Sequence, residues 1–223
     1  MEIRPVAHFR GPLGSKFGVP RQSGLAEALP GRIIFEPAFR DGNALRGLEG
    51  FDRIWLIWGF SANRPAKGEW RPTVRPPRLG GNDRLGVWAT RSPFRPNPIG
   101  LSAVRLVRIE TESPEGPVLH VAGADLMDGT PVYDIKPYVG YADCFPDARS
   151  GFADAAPDAP LRVVIPEDLP LSPEEREVLA GILSLDPRPA YQQDPGRVYG
   201  MPFGGREVHF RIEDHLLTVI DYA

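Results

Sequence analysis

The chain has 223 residues, 42% apolar and 25% charged, so it can bury a sizeable core and wholesale disorder is excluded. A formal net charge of −3 excludes a basic tail gripping nucleic acid, and one cysteine, Cys144, excludes an internal disulfide or a cysteine-based zinc site. With 26 prolines and 24 glycines, short elements joined by turns are expected rather than long helices.

In chain order, the first predicted strand is Arg32–Phe35, and the strongest is the nearly continuous apolar run Arg53–Phe60. A third is expected over Arg84–Thr90. Ser102–Ile109 alternates as a half-buried strand does, and Val118–Ala124 pairs with it across a turn-rich connection. Val132–Lys136 completes the set. Hairpin-like spacing without intervening helices predicts an antiparallel barrel or sandwich rather than a doubly wound sheet. One helix is predicted late: Ser172 caps it, Pro173 takes its first position, Glu174 and Glu175 fill the first turn, and Pro187 and Pro189 stop it. Strands Val208–Ile212 and Leu216–Ile220 close the chain. The Ala- and Pro-rich stretch 153–160 reads as a linker. Two units are therefore expected: a β-barrel over 1–152 and a small C-terminal α/β appendage over 161–223. The fold class is mainly β, α+β overall.

Arginine outnumbers lysine 23 to 3. Eight basic residues lie between Arg64 and Arg95 (Arg64, Lys67, Arg71, Arg75, Arg78, Arg84, Arg91, Arg95), against two acids there, Glu69 and Asp83. This asymmetry points to one face built for an anion. Within it, Trp70 to Asn82 alternates arginine with proline beside a tryptophan, a pattern suited to phosphate contact and base stacking. Ala89 to Ser102 carries three prolines (Pro93, Pro96, Pro98) that fix the backbone, so Arg91, Arg95 and Asn97 are offered from a rigid frame. A third segment, Asp125 to Tyr138, holds Asp125, Asp128 and Asp134 behind a strand. Its carboxylates suit a cation, a ribose hydroxyl pair or an amine, and alternatively Asx turns.

Some chemistries are missing. No G-x-G or G-x-x-x-x-G-K-[ST] occurs, so Rossmann and P-loop sites are excluded. The histidines are scattered and no metal site is expected. No apolar run approaches the roughly 18 residues of a membrane span, and Met1 to Pro5 lacks a signal-peptide core. A soluble cytoplasmic protein, away from membranes, is the expectation.

Together these residues resemble the TsaA/TrmO family. The resemblance rests on Pro20-Arg21-Gln22, Gly24-Leu25, Arg46 to Glu49, Arg71 to Asn82, Ala89 to Ser102, Asp125 to Tyr138 and Asp186 to Tyr191. It implies an S-adenosylmethionine-dependent methyltransferase on a single-sheeted antiparallel β-barrel. It also implies a homodimer with the cofactor near the subunit interface, acting on N6 of threonylcarbamoyladenosine at tRNA position 37. Carried over by position, the implied cofactor contacts are Ser23, Gly24, Leu25, Ser61, Ala62, Arg91, Leu101, Asp125, Leu126, Met127, Asp128, Gly129 and Thr130. Ser23 stands where the family usually has Pro, Ser61 where it often has His, Gly140 where Pro is common and Trp88 where Phe is common.

Under that resemblance, methyl transfer is an in-line displacement and mainly a positioning task. Asp125 or Asp128 is expected on the cationic or ribose side of the cofactor, and Arg91 on an anionic group. Asp134 and Tyr138 are the candidate catalytic acceptors for the N6 proton. Arg95 or Arg188 is the candidate cation for the threonyl carboxylate. Arg71, Arg75, Arg78, Asn97 and Tyr191 complete the expected substrate contacts. The alternatives are a methyltransferase of the same fold with another substrate, and a non-catalytic barrel binding S-adenosylmethionine or RNA.

Overall fold

Alternation along the first strong apolar run decides which side chains fill the barrel. In strand β3 (Arg53–Gly59), Ile54, Leu56 and Trp58 are buried, and their neighbours Arg53, Trp55 and Ile57 are less so. A computed structural model describes residues 2–62, 70–76, 79, 83–154, 159–188, 194 and 196–223. Of the sequence expectations, Arg64, Lys67, Arg78, Tyr191 and linker residues 155–158 lie outside the described residues.

Six strands close a fully antiparallel barrel: β1 (Ala7–Arg10), β2 (Pro30–Phe35), β3, β6 (Ile99–Glu110), β7 (Val118–Ala122) and β8 (Pro131–Pro137). Their order around the barrel is β1-β2-β7-β6-β3-β8. Closure leaves no edge strand to template aggregation. The mainly-β fold class and the single-sheeted barrel are as the sequence predicts. Phe9, Ile33, Ile54, Leu56, Val104, Leu119, Leu126 and Val132 form the barrel core.

A second sheet runs β10 (Tyr199–Phe203), β11 (Arg206–Glu213), β12 (Leu216–Tyr222) and β9 (Arg162–Val164), with β9 parallel to β12. Against it packs the predicted helix, Pro173–Ser184, through Leu179, Ile182 and Leu183. Its start is a full capping box: the Ser172 hydroxyl accepts from the Glu175 N–H at 3.2 Å, and the Glu175 carboxylate accepts from the Ser172 N–H at 2.8 Å. Arg176 donates to the carbonyls of Pro166, Glu167, Leu169 and Leu171, fixing the approach to the helix.

Two features depart from expectation. Arg84–Thr90 is not one strand. Only Leu85–Gly86 pairs, as β5, with β4 (Thr73–Val74). Beyond it the Thr90 N–H and hydroxyl both bond the Val87 carbonyl, at 3.1 and 2.9 Å, which curls Val87–Ala89 into a tight turn. The second concerns the segment between β1 and β2. Leu13, Ala26 and Leu29 lie in the core of the C-terminal sheet, with Phe17 and Val19 packed against it. The same segment is tied to the barrel end by backbone bonds from Gly24 to Gly123 (2.8 Å) and from Asp128 to Leu13 (2.8 Å). One stretch of chain is thus held between two cores.

Candidate active site

That doubly held segment forms one wall of a cleft of about 410 Å³ at the barrel end. Lys16, Val19, Pro20, Arg21 and Gln22 line this wall. The opposite wall is the proline-braced loop, with Thr90, Arg91 and Arg95, and the start of β6, with Ile99, Gly100 and Leu101. Trp58, Phe60, Ser61 and Ala62 come from the end of β3 and its continuation, and Asp125, Leu126, Met127 and Thr130 from the turn after β7. The volume lies within the roughly 300–1,000 Å³ typical of small-molecule sites.

The floor is built by strand register. Leu56 pairs with Ser102 and Trp58 with Gly100 across β3 and β6, so Trp58, Gly100 and Ser102 all fall on the inward side. A side chain at Gly100 would collide with the Trp58 ring, its Cβ meeting ring atoms at 2.3–2.7 Å, so glycine there lets the indole lie flat on the strand. The Trp58 indole N–H donates to the buried Ser102 hydroxyl at 2.9 Å. That hydroxyl in turn donates to the Asp125 carboxylate at 2.5 Å. Burial raises the Asp125 carboxyl above the ordinary carboxylate range. The Ser102 hydroxyl, Asp125's own backbone, the Arg91 charge and the Ser23 backbone all act the other way without reversing the shift. Gly24, at φ +82°, makes the left-handed turn that brings this backbone against Asp125.

The rim is basic. Arg91 donates to the Gln22 side-chain carbonyl across the cleft. Arg95 braces its own loop by donating to the carbonyls of Val87 (3.1 Å) and Thr90 (2.6 Å). Among the described lining residues Asp125 is the one carboxylate, in a cleft that also carries Lys16, Arg21, Arg91 and Arg95.

Of the expected cofactor contacts, Ser61, Ala62, Arg91, Leu101, Asp125, Leu126, Met127 and Thr130 line this cleft. Ser23 reaches it through its backbone at Asp125. Gly24 and Leu25 continue past it, Leu25 being exposed. Asp128 turns away: its carboxylate accepts from Arg10 and from the Gly11 N–H, both at 3.2 Å, while the Gly129 N–H bonds Phe9 at 2.9 Å. The pair fastens the turn to β1. Of the expected catalytic acceptors, neither lines the cleft. Asp134 pairs with Lys136 at 2.9 Å and accepts from the Ile135 N–H. Tyr138 leans on Trp55, ring centroids 5.6 Å apart, and burial beside Cys144 raises its phenol.

The expected substrate residues divide similarly. Arg95 lines the cleft. Arg71 lies over the Phe94 ring at 4.7 Å, and Arg75 is exposed. Asn97 contributes a backbone carbonyl to the Ile99 N–H. Arg188 is held by Asp186 through two bonds of 2.9 and 2.8 Å. Residues given no site role in the sequence reading are Trp58, Ser102, Gln22 and Arg21, although Arg21, Gln22 and Ser102 fall in segments that carry the resemblance. Ser102 left a trace: it is the polar residue at an inward position of an alternating strand, two before buried Val104.

Comparison with known proteins matches this geometry to one family. The tRNA-methyltransferase O N-terminal domain model matches residues 8–144, and the TrmO C-terminal domain model residues 167–223. A tRNA (adenine(37)-N6)-methyltransferase of Escherichia coli K12 is 39% identical over 223 residues, covering 96% of this chain and 94% of its own. A Pseudomonas aeruginosa protein named as a putative S-adenosylmethionine-dependent methyltransferase is 42% identical over 232 residues, covering 99% and 97%. The crystal structure of TrmO from Pseudomonas aeruginosa superposes with a TM-score of 0.79 at 34% identity, covering 100% of this chain and 98% of that one. Among the described residues no helix is long and apolar enough to cross a membrane, and no cluster of three or more metal-ligating side chains occurs.

Proposed function

The chain belongs to the tRNA-methyltransferase O family, and from that premise we propose how its cleft works and on what. Membership makes it a tRNA (adenine(37)-N6)-methyltransferase. The finer reading is that the methyl group goes to N6 of an adenosine already carrying a threonylcarbamoyl group. The observation that carries the cleft assignment is a partly buried carboxylate, Asp125, facing arginines across a space of ligand size.

S-adenosylmethionine, which relatives' names associate with the family, supplies when bound a methyl group activated by a sulfonium. The residues present fit it. Asp125 answers the cationic or ribose side, and Arg91 or Arg21 answers a carboxylate. Trp58, Phe60, Leu101 and Leu126 provide apolar wall. Ser102 and Trp58 hold Asp125 in one orientation, which would fix the placement of a cofactor bound to it. Arg91, tethered to Gln22, keeps the anion-binding edge in place. A proton-accepting role for Asp134 or Tyr138 draws no support from this cleft, which neither lines. The cation for the threonyl carboxylate is better sought in Arg95, which lines the cleft, than in Arg188, which Asp186 holds. A cytoplasmic homodimer belongs to the same reading, and exposed Ile99 and Leu101 at the cleft edge favour a covering neighbour.

The test is transfer of labelled methyl from S-adenosylmethionine to two tRNAs, one bearing threonylcarbamoyladenosine at position 37 and one with plain adenosine there. Transfer to the first alone is the expected outcome. Equal transfer to both would overturn the threonylcarbamoyl requirement and leave adenine methylation standing.

A further inference from the structure

Beside the cleft stands a surface the reaction has not used. Trp70 and Trp88 are 46% and 66% exposed. Their rings stack, with centroids 6.2 Å apart and planes 26° from parallel. The Arg95 guanidinium lies 5.1 Å from the Trp88 ring centre, and Arg95 also lines the cleft. Two adjacent indoles left to solvent form an apolar patch, and such patches mark binding surfaces.

The backbone beneath is fixed. Buried Val87 anchors the turn that carries Trp88, and its N–H bonds the Pro72 carbonyl at 3.0 Å. The β4–β5 pairing joins Thr73 to Gly86 and Val74 to Leu85, and the Arg71 N–H bonds the Phe94 carbonyl at 3.2 Å. The rings are thus held ready before any partner arrives, which lowers the ordering cost of binding. The charge around them selects the partner. Among the described residues from 70 to 95, Arg71, Arg75, Arg84, Arg91 and Arg95 face a single acid, Asp83. Flat aromatic faces set among arginines match a nucleic acid strand: phosphates meet the guanidinium groups and an unpaired base meets the indole.

We propose that Trp70 and Trp88 form a stacking platform for an unpaired RNA base flanking the nucleotide that enters the cleft. The proposal rests on the tRNA reading above and names how that RNA is held. An open loop is required, because a base inside a duplex keeps its faces covered. The platform therefore selects single-stranded over paired RNA, which phosphate contacts alone do not.

The experiment measures binding of two labelled RNAs of equal charge, a hairpin with an open loop and a fully paired duplex, to the full chain. Trp88→Ala is expected to weaken hairpin binding by roughly 5- to 150-fold, the range for losing one base–aromatic stack. Duplex binding stays near the wild-type value. The slope of affinity against salt stays unchanged, because stacking releases no counterions. Trp88→Phe restores most of the hairpin affinity. Because Trp88 lies outside both cores, the thermal midpoint of each variant stays at the wild-type value. An unchanged hairpin affinity in Trp88→Ala overturns the proposal. So does an equal loss on hairpin and duplex, a failure of Trp88→Phe to rescue, or a changed oligomeric state, which would make this face a contact between copies. Wild-type protein that binds the hairpin through Trp88 but methylates no tRNA would break the methyl-transfer reading alone. Wild-type activity shared by Trp88→Ala, with unchanged hairpin affinity, would break the platform alone.

Discussion

Asp125 on the cleft floor and Asp186 beside the C-terminal sheet are both partly buried carboxylates with an arginine nearby, and they titrate in opposite directions. Burial is the largest influence on each, and it raises both. At Asp186 the Arg188 guanidinium, bonded twice at 2.8–2.9 Å, the Arg188 backbone N–H and the Arg21 charge together outweigh burial and lower the carboxyl below its ordinary range. At Asp125 a neutral hydroxyl at 2.5 Å and an arginine turned toward Gln22 do not outweigh it. One carboxylate is fully answered by its own chain, and the other is left partly unanswered. An unanswered buried charge costs stability, and a ligand with a cationic group removes that cost. The comparison locates function better than a count of charges does.

The largest effect is expected from Asp125→Asn. Loss of the charge weakens S-adenosylmethionine binding by roughly 10- to 150-fold, the range for a hydrogen bond to a charged group. Methyl transfer at subsaturating cofactor falls at least as far. The fold gains. A carboxylate whose folded pKa is raised binds its proton more tightly folded than unfolded, so its contribution falls as pH rises from the ordinary aspartate value through the raised one. Above the raised value that penalty is complete, and Asn removes it. Calorimetry and a thermal scan on the same sample decide the matter: weaker binding with an equal or higher midpoint is expected, and a lower midpoint would break the comparison.

Asp186→Asn is expected to do the reverse. Here the folded pKa is lowered, so the ion pair's contribution is present above the ordinary aspartate value and is lost as pH falls through the folded one. Neutralising it should destabilise the chain by about 1–2 kcal/mol, below the roughly 3–5 kcal/mol of a fully buried pair because Asp186 keeps contact with water. Cofactor affinity should change less than threefold, by the same titration. A large loss of affinity would mean that the C-terminal sheet acts on the cleft through Arg21, whose charge Asp186 feels, and not only by holding the wall.

The same contrast explains what could be read from the sequence. Five of the six barrel strands, the capped helix and the Asp125 turn announce themselves locally, through alternation, Ser172-Pro173 and a carboxylate after a strand. Strands β1, β9 and β10 do not: they are four, three and five residues long, and β10 contains Gly200 and Pro202. Within the site, identity was legible but pairing was not. Asp128 looks as suitable as Asp125 until Arg10, 118 positions away, claims it. Arg188 looks available until Asp186 closes on it. Trp58 and Ser102, 44 positions apart, become one hydrogen-bonded floor only through the β3–β6 register. Local pattern shows which residues can carry chemistry, and long-range pairing decides which remain free to do so.

Ser102→Ala removes a hydrogen bond rather than a charge, and it shows what holds the Asp125 carboxyl down. The hydroxyl is the strongest influence holding the Asp125 carboxyl down against burial. Without it the carboxyl rises further, so the pH below which cofactor binding is lost moves up. Well above that limb, binding should stay within roughly tenfold of wild type, because the charge remains in place. The indole N–H of Trp58 also loses its acceptor inside the barrel, at a cost of about 1–3 kcal/mol. Stability therefore falls while the pH limb moves up, a combination that neither aspartate variant gives. Binding titrations across pH, beside thermal scans, separate the three. If the limb stays where it is in wild type, the Ser102 hydroxyl serves Trp58 alone, and Asp125 owes its state to burial and Arg91.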